Sequence, residues 1–278
     1  MNKSKLISII IPCYNDFLYV EQSVNSALNQ TYPNIELIVV DDGSNEETKT
    51  VLKRLEPKIT KLIAQENQGQ SKARNVGITA ATGEYILTLD SDDFFEPTFC
   101  EKAITIFENE ENAKIVTCNA RLIFDKSRSY ISKPRGGFIT DFLFSNSALG
   151  TSLFKKEDWR ICGGYDENMR QGFEDWEFFI RLLKNGGQAV VIDEPLYNYR
   201  RSDHSTTTRA NVVKHNLQRY IYNKHRDLFT MHFELLIDHF LCRIENQEKE
   251  RIKNLERIEF KIGNLLLYPI RRIKKLFK

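Results

Sequence analysis

The sequence predicts an α/β fold in which a parallel sheet is covered by helices on both faces. Apolar runs rich in β-branched residues, such as 6–11 and 35–40, are typical of strands that are buried on both faces. Between these runs, apolar residues recur at helical spacing, as in 20–28 and 71–80. Because strands that alternate with helices along a chain run in the same direction, the pattern predicts parallel pairing.

The remaining elements follow from local signals. Ser44 and Glu47 fit a capping box and predict a helix over 45–55. Pro97 predicts the start of a helix that ends near residue 109. The other predicted strands are 61–65, 84–89, 114–124 (one long strand or a pair) and 189–192, and the other predicted helix is 176–184.

Two polar stretches predict loops, and the chain is expected to divide into two parts. Residues 126–137 are polar and basic and contain a proline and two glycines, which is typical of a functional or mobile loop. Residues 202–210 predict a loop over the site, and the chain is helical from 211 onward. We therefore predict a main domain over 1–210 and a helical C-terminal extension over 211–278.

Composition excludes several classes of protein. The net charge of the 278 residues is +2, but five Lys and Arg side chains lie in the last eleven residues, so the rest is slightly acidic. We therefore expect no nucleic-acid partner. The five cysteines show neither zinc-ligand spacing nor a disulfide framework, which indicates a reducing cytoplasm. No segment is long and apolar enough to predict a membrane span.

Acidic side chains follow predicted strands at two points and occur again downstream. Asp90-Ser91-Asp92-Asp93 comes directly after a buried strand, and Asp41-Asp42 ends an earlier one. Carboxylates at this edge of a sheet can hold a divalent metal against a phosphate. The alternatives are a solvated acidic turn and ordinary helix capping. With Glu174-Asp175, the clusters indicate a metal-dependent enzyme that acts on a nucleotide-linked substrate.

Further candidate residues have weaker signals. Tyr14 follows Pro12 at the end of the first strand and can offer its ring to a base, or it can simply pack there. Gly69 allows a close backbone approach before a helix that carries Arg74, which can meet a diphosphate or face solvent. His204 can ligate a metal or a phosphate, although a lone histidine in a loop usually has no such role.

The ordered set of motifs resembles the family 2 glycosyltransferases with the GT-A fold. The matching segments are SIIIPCYN at 8–15, VVDDGS at 39–44, NQG to ARN at 67–75, GEY to DSDD at 83–93, GGYD at 163–166 and ED at 174–175. The resemblance covers about residues 4–210. It implies a Rossmann-like mixed sheet flanked by helices, as in nucleotide-diphospho-sugar transferases, with a GT-A catalytic domain over 1–210.

The resemblance also implies a donor site for a nucleotide-sugar, with UDP as the carrier. The residues that it assigns to this site are Pro12, Tyr14, Asp42, Gly69, Arg74, Asp90, Ser91 and Asp92. Within the site, Pro12, Tyr14 and Asp42 would hold the base and ribose, while Arg74 would approach the base or the diphosphate.

A metal and a catalytic base are implied as well. Asp92 would ligate Mn²⁺ or Mg²⁺, with His204 as a second ligand. Asp175 would be the base of an inverting reaction, and a carboxylate held between aromatic residues is suited to that task because desolvation raises its pKa. Capping of a helix is the alternative for Asp175. Weaker assignments to the acceptor or a nearby loop are Glu174, Trp176 and Ser205.

Two rival functions stay open beside this one. A non-catalytic nucleotide-sugar binding protein would need to lack Asp92 or Asp175, and both are present. A sugar nucleotidyltransferase needs a glycine-rich, basic loop after the first strand, and 12–17 contains no Gly, Lys or Arg. A dehydrogenase is disfavoured because the dinucleotide-binding glycines are missing there.

The C-terminal tail suggests where such an enzyme would act. Apolar residues of 268–278 share one helical face and basic residues the other, as expected on an anionic membrane surface or at a packing face. We predict a cytoplasmic protein, peripheral on the inner face of the plasma membrane, with a glycan or lipid-linked acceptor in bacterial surface polysaccharide or glycolipid synthesis. The sequence leaves the sugar open, and a homodimer is one arrangement that it allows.

Overall fold

The sheet of this protein is mixed, with a parallel half and a half of alternating direction. The computed structural model describes residues 5–124, 128–201 and 206–276. Its strands are β1 (Ile7–Cys13), β2 (Ile35–Asp42), β3 (Lys61–Gln65), β4 (Tyr85–Thr88), β5 (Phe94–Phe95), β6 (Ala113–Ile123), β7 (Ser129–Ser132), β8 (Leu153–Lys155) and β9 (Gln188–Arg200). They are ordered β3-β2-β1-β4-β8-β6-β9-β5, and β7 pairs with β6.

Strand direction changes at β8. The strands β3, β2, β1 and β4 are parallel to one another. Next to them, β8 is antiparallel to both β4 and β6. The predicted parallel sheet is therefore confirmed for the first four strands, and the mixed sheet that the family resemblance implies is confirmed for the whole.

Helices lie between the strands and form the C-terminal region. They are α1 (Val20–Leu28), α2 (Glu46–Leu55), α3 (Gln70–Ala80), α4 (Phe99–Asn109), α5 (Ile139–Phe142), α6 (Lys156–Cys162), α7 (Glu174–Leu183), α8 (Thr206–Val212), α9 (Lys214–Lys224), α10 (Arg226–Met231), α11 (Phe233–Glu256) and α12 (Ile258–Leu276).

Alternation along the central strands gives the sheet two apolar faces. Ile9 and Leu37 belong to the buried cluster on one face. On the other face, a Cβ at Gly77 of α3 would lie 2.5 Å from Ile10 Cγ2 and 3.1 Å from Val40 Cγ2. Glycine at this position therefore lets α3 pack directly on β1 and β2.

Four local predictions are corrected by the structure. The cap of α2 is Asn45, whose side chain accepts from the Thr48 N–H, while Ser44 Oγ accepts from the Asn15 N–H at 3.1 Å. The proposed capping box is wrong because Ser44 lies one residue too early and bonds to the neighbouring loop. The predicted loop 126–137 contains β7, because Tyr130 and Ile131 favour a strand.

The other two corrections concern the end of the main domain. The strand predicted over 189–192 continues to Arg200, and its pairing with β6 is irregular around Asn119, which lies opposite Pro195. The proline and the preceding acids hide this continuation in the sequence. The predicted loop 202–210 contains the start of α8 at Thr206.

The chain forms two compact units. One is Met1–Lys224, which contains the sheet, and the other is His225–Lys278, which consists of α10, α11 and α12. The predicted boundary at 210 stays a prediction about domain organisation. No helix among residues 5–124, 128–201 and 206–276 is long and apolar enough to cross a membrane.

Candidate active site

The parallel strands bring the predicted donor residues to one edge of the sheet. Tyr14 lies just beyond β1 and is 52% exposed, so its ring is accessible at this edge. The chain turns at Asn15, where φ is 59°, and Asn15 Oδ1 accepts from the Asn45 N–H at 2.7 Å. Asparagine tolerates this left-handed conformation better than most residues.

Pro12 lies inside β1, in register with Val40, and the strand continues for one more residue to Cys13. The Leu89 N–H donates to the Ile10 carbonyl, so the backbone of Ile10 points toward β4. Two residues on, Pro12 points the same way, where the pairing of β1 with β4 has ended. Its missing N–H therefore costs no ladder hydrogen bond.

Asp42 organises the turn that leads into α3. Its Oδ1 accepts from Gln65 Nε2 at 2.7 Å and from the Gln68 N–H at 2.8 Å. Its Oδ2 accepts from the Gly69 N–H at 2.8 Å. A carboxylate has about four acceptor positions, so these three hydrogen bonds leave one of them unused. Gly69 has φ of 92°, which explains why glycine is needed at this turn.

Arg74 is buried between the two acidic clusters. It is 2% exposed, and its Nη2 donates to Asp90 Oδ1 at 2.8 Å while Nη1 donates to Glu174 Oε1 at 2.7 Å. Burial alone would lower its pKa, but Asp90 and Glu174 outweigh that cost and keep the guanidinium charged. Asp90 and Glu174 each take one terminal nitrogen of this side chain, and the expected approach of Arg74 to the base or diphosphate stays a prediction.

Each acid of the 90–93 segment has a different environment. Asp90 Oδ1 also accepts from Gln70 Nε2 at 2.8 Å, so α3 fixes its position twice. The hydroxyl of Ser91 is buried and donates to Asp16 Oδ2, which places it inside the protein rather than toward a donor. This contact explains how the loop after β1 and the loop after β4 are held together.

Asp93 is a structural residue. It is completely buried, and it accepts from the Tyr197 hydroxyl and, at 2.7 Å, from the Arg200 N–H. Burial, followed by the charges of Asp92 and Asp90, raises its pKa well above the ordinary value. Asp93 therefore ties the acidic segment to β9, a role that the sequence does not reveal.

Asp92 is the acid best suited to a metal. Burial first, and then the charges of Asp90 and Asp16, raise the pKa of Asp92 to about 7. A divalent cation would relieve this repulsion, and oxygen ligands suit Mn²⁺ and Mg²⁺. The described residues contain no group of three or more side chains with metal-ligand geometry. Such an ion usually takes one or two carboxylates beside phosphates and water, so the residues fit it.

Asp175 lies in the first turn of α7 with both oxygens hydrogen-bonded. Oδ1 accepts from the Trp176 N–H and Oδ2 accepts from Asn146 Nδ2, each at 2.8 Å. Burial, and then the charge of Glu174, raise its pKa, in agreement with the desolvation expected from the sequence. The structure also shows the residue before α7, Phe173, in a left-handed conformation with φ of 64°.

The two neighbours of Asp175 face inward. Glu174 is buried against Arg74, and Trp176 is buried with its Nε1 donating to the Phe142 carbonyl at 2.6 Å. Their assignment to the acceptor or a nearby loop stays a prediction, and both side chains are buried. His204 and Ser205, which were also assigned to the site, lie outside the described residues.

Arg200 is one candidate functional residue that sequence reasoning missed. Its guanidinium lies 4.6 Å from the ring centre of Tyr19 and 5.0 Å from that of Phe94. Its Nη1 donates to the Asp92 carbonyl. It therefore fixes the backbone of the metal-binding candidate. The sequence gave no signal for it, because the predicted strand ended at 192 and Asp92 lies 108 residues away along the chain.

The fold and these strand-end acids define the GT-A class of glycosyltransferases, and the comparisons give the family. The family model for glycosyl transferase family 2 matches residues 8–166, more than half of the chain, and the protein belongs to this family. An uncharacterized glycosyltransferase of Rickettsia typhi is 32% identical over 90% of this chain and 76% of its own length. A Bacillus subtilis protein, TuaG, is 28% identical over 90% of this chain and 99% of its own length.

Solved structures have the same fold. S. aureus TarS 1–349 in complex with UDP-GlcNAc aligns with a TM-score of 0.63 at 20% identity, over 73% of this chain and 60% of that one. A mannosyltransferase from Pyrobaculum calidifontis, in complex with GDP-Man and Mn²⁺, aligns with a TM-score of 0.58 at 18% identity, over 74% and 60%. This chain therefore spans less than two thirds of either neighbour.

Proposed function

We propose that the protein is an inverting, metal-dependent glycosyltransferase that moves a sugar from a nucleoside diphosphate sugar to an acceptor hydroxyl. One observation carries the proposal. Asp90, beside the predicted metal ligand, and Glu174, beside the predicted base, bind the same buried guanidinium of Arg74 at 2.8 and 2.7 Å. Arg74 therefore holds the segment with the proposed metal ligand next to the segment with the proposed base.

The donor is proposed to be a UDP-sugar. One neighbour of the same fold supports a nucleotide donor, since TarS is described in complex with UDP and with UDP-GlcNAc. In this chain, Tyr14 would stack on the base and the remaining acceptor position of Asp42 would meet the base or ribose. The mannosyltransferase with GDP-Man makes GDP the second carrier to test.

Asp92, with His204 as the second ligand, is proposed to hold Mn²⁺ or Mg²⁺, and a bound ion would neutralise charge that builds on the leaving diphosphate. Arg200 holds the Asp92 backbone, and Arg74 fixes Asp90, so this chain presents both carboxylates in one arrangement. Because the two acids repel each other when no cation is present, donor binding is expected to depend on the metal.

Asp175 is proposed to remove the proton of the acceptor hydroxyl. Its raised pKa brings it nearer to neutral pH, where a carboxylate is a more effective base. The hydroxyl attacks the anomeric carbon from the face opposite the leaving diphosphate, so a single displacement inverts that centre. The carboxylate takes the hydroxyl proton as the new glycosidic bond forms and the old bond to phosphate breaks.

The rival functions differ in what happens to the donor. A non-catalytic binding protein would bind a nucleotide-sugar and leave it intact. A sugar nucleotidyltransferase would release pyrophosphate from a nucleoside triphosphate and a sugar phosphate. Product analysis therefore separates all three.

The biological setting is proposed to be the synthesis of a bacterial surface polysaccharide or glycolipid. TuaG carries a name from teichuronic acid biosynthesis, and another relative is a Pasteurella multocida hyaluronan synthase. We propose that 1–210 is the catalytic domain and that 211–278 is an extension whose tail, 268–278, binds an anionic membrane from the cytoplasmic side. Formation of a homodimer is a separate proposal, which is tested independently of the others.

The membrane proposal has a direct test. Exposed apolar residues of α12 before the tail include Ile258, Leu265 and Leu266. Co-sedimentation with anionic vesicles should retain the full chain and lose a variant truncated after residue 269, while neutral vesicles should retain neither. Equal retention of both chains by anionic vesicles would contradict the role of the tail.

The function is tested by calorimetry followed by product analysis. UDP, GDP and a panel of their sugars are titrated with and without Mn²⁺, and bound donors are then incubated with acceptors or water. Metal-dependent binding and release of nucleoside diphosphate are expected. Asp92→Asn should weaken binding, whereas Asp193→Asn, which changes an exposed acid paired with Lys133, should not. Metal-independent binding of an intact donor would support the non-catalytic alternative.

A further inference from the structure

The segment 146–150, between α5 and β8, surrounds one oxygen of Asp175. Asn146 Nδ2 donates to Asp175 Oδ2 at 2.8 Å, and the Ala148 N–H donates to Asn146 Oδ1 at 3.2 Å. The second bond holds the oxygen end of the amide on its own backbone. The nitrogen end is therefore directed at the carboxylate, which is the orientation that donates rather than accepts.

Gly150 approaches the same oxygen from the other end of the segment. A Cβ at this position would lie 2.7 Å from Asp175 Oδ2 and 3.3 Å from Asp175 Cγ. No carbon fits at 2.7 Å, so the lack of a side chain at Gly150 is what leaves room for the carboxylate. The Gly150 carbonyl accepts from Thr88 Oγ1 at 3.2 Å, which ties this backbone to the end of β4.

We propose that Asn146 and Gly150 are positioning residues for the base, with Asn146 orienting the Asp175 carboxylate and Gly150 providing the space that it occupies. The inference rests on the proposed role of Asp175. Trp176 holds Oδ1 through its backbone, and Asn146 holds Oδ2 through its side chain. With both oxygens fixed, the carboxylate presents its remaining lone pairs in one direction, toward the hydroxyl that it deprotonates.

The electrostatic setting makes the amide important. Charged or titratable groups around Asp175 are Glu174, Arg74, Asp90 and Tyr165. Burial and Glu174 raise the pKa of Asp175, while Arg74 and the Trp176 N–H lower it. The hydrogen bond from the Asn146 amide stabilises the charged form of Asp175. Loss of this hydrogen bond should therefore raise the pKa of Asp175.

The test reads the titration of Asp175 by carbon-detected NMR of labelled aspartate, in the full chain without donor. The signal is assigned by its loss in Asp175→Asn. Asn146→Asp places a second acid at the same distance and should raise the apparent pKa of Asp175 by about one unit or more. Asn146→Ala should raise it by less. Asn119→Asp is the matched control, since Asn119 Nδ2 also donates to an aspartate, Asp193, at 2.8 Å.

Gly150→Ala tests the space independently. We expect kcat to fall about a hundredfold with little change in KM for the donor, because a displaced base slows chemistry rather than binding. Gly263→Ala is the control, since a Cβ there meets no atom within 4 Å. A fall in the control equal to that of Gly150→Ala would overturn the inference.

Two results separate this inference from the proposed function. An unchanged Asp175 titration in both Asn146 variants overturns the positioning role, even in an active enzyme. If the wild-type chain releases no diphosphate from any donor, the proposed function fails, whereas a shifted titration still upholds the contact. If Asn146→Asp does not fold, Asn146→Ala gives the decisive reading.

Discussion

The two acidic clusters of the site hold their charge in different ways. In the 90–93 segment, Asp93 is hydrogen-bonded to β9, Asp90 is paired with Arg74, and Asp92 is left with a raised pKa. In the second cluster, Glu174 accepts from the other terminal nitrogen of Arg74, and Asp175 accepts from two neutral N–H donors. In each cluster, then, the neighbouring acids are bound by other groups of the protein, and one acid is the candidate for chemistry.

The largest effect is expected when Asp175 of the second cluster is replaced. Asp175→Asn keeps the shape and the hydrogen bond to the Trp176 N–H but cannot accept a proton. Turnover should fall about a thousandfold, while donor affinity measured by calorimetry stays within a factor of about two.

Glu177→Gln is unsuitable as a control because Glu177 is completely buried in ion pairs. Glu157→Gln changes an exposed acid paired with Arg160 and should leave turnover unchanged. Near-normal turnover of Asp175→Asn would show that Asp175 is not the base of the reaction.

Arg74 tests the link between the clusters. Arg74→Met leaves Asp90 and Glu174 without their shared cation, and breaking a buried pair of this kind costs about 3–5 kcal/mol. The free energy of unfolding in urea measures this loss. Arg160→Met, which removes an exposed partner of Glu157, should leave the midpoint unchanged. Equal stability of the two variants would mean that Arg74 does not hold the clusters together.

The pH dependence of turnover tests the raised pKa of Asp175. Burial and Glu174 raise the pKa of Asp175, so its proton is lost at a higher pH than from an ordinary aspartate. A base must be deprotonated, and kcat should therefore fall about tenfold for each pH unit below the raised pKa. Stopped assays at saturating donor and metal, from pH 5 to 9, measure this acidic fall in kcat. A flat profile down to pH 5 contradicts the raised pKa.

The smallest expected effect concerns the acid assigned to structure. Tyr197→Phe removes one donor to Asp93 and leaves the Arg200 N–H in place. We expect a loss of about 1 kcal/mol in the free energy of unfolding and no change in metal-dependent donor affinity. Tyr220→Phe, which removes an exposed hydroxyl from Asp166, is the control and should cost less. Weaker metal-dependent donor binding in Tyr197→Phe alone would make Asp93 part of the donor site.

Much of the fold was predictable because its signals are local. The first four strands and their helices follow from apolar runs and spacing, and α3 begins one residue before its predicted start. The extension of β9 was not predictable, since Pro195 and two acids interrupt the apolar pattern and only pairing with β6 restores it. Long-range pairing of this kind leaves no trace in a short window.

The site was predictable in its residue types and less so in its contacts. The sequence identified the acids, but it assigned Arg74 and Ser91 to the donor, and the structure buries both against other acids. It gave no sign of Asn146 or Gly150, because they lie more than twenty residues from Asp175 and belong to no acidic or basic motif. Such partners become visible only when the chain is folded.

The shared guanidinium of Arg74 also limits how this scaffold can be redesigned. Replacing Asp90 to change nucleotide or sugar preference would remove the partner of Arg74 Nη2. The guanidinium would then be drawn toward Glu174. The backbone that carries Asp175 would be disturbed by a change made for a different purpose. Libraries for altered specificity in this enzyme should therefore vary positions 74, 90 and 174 together as one unit.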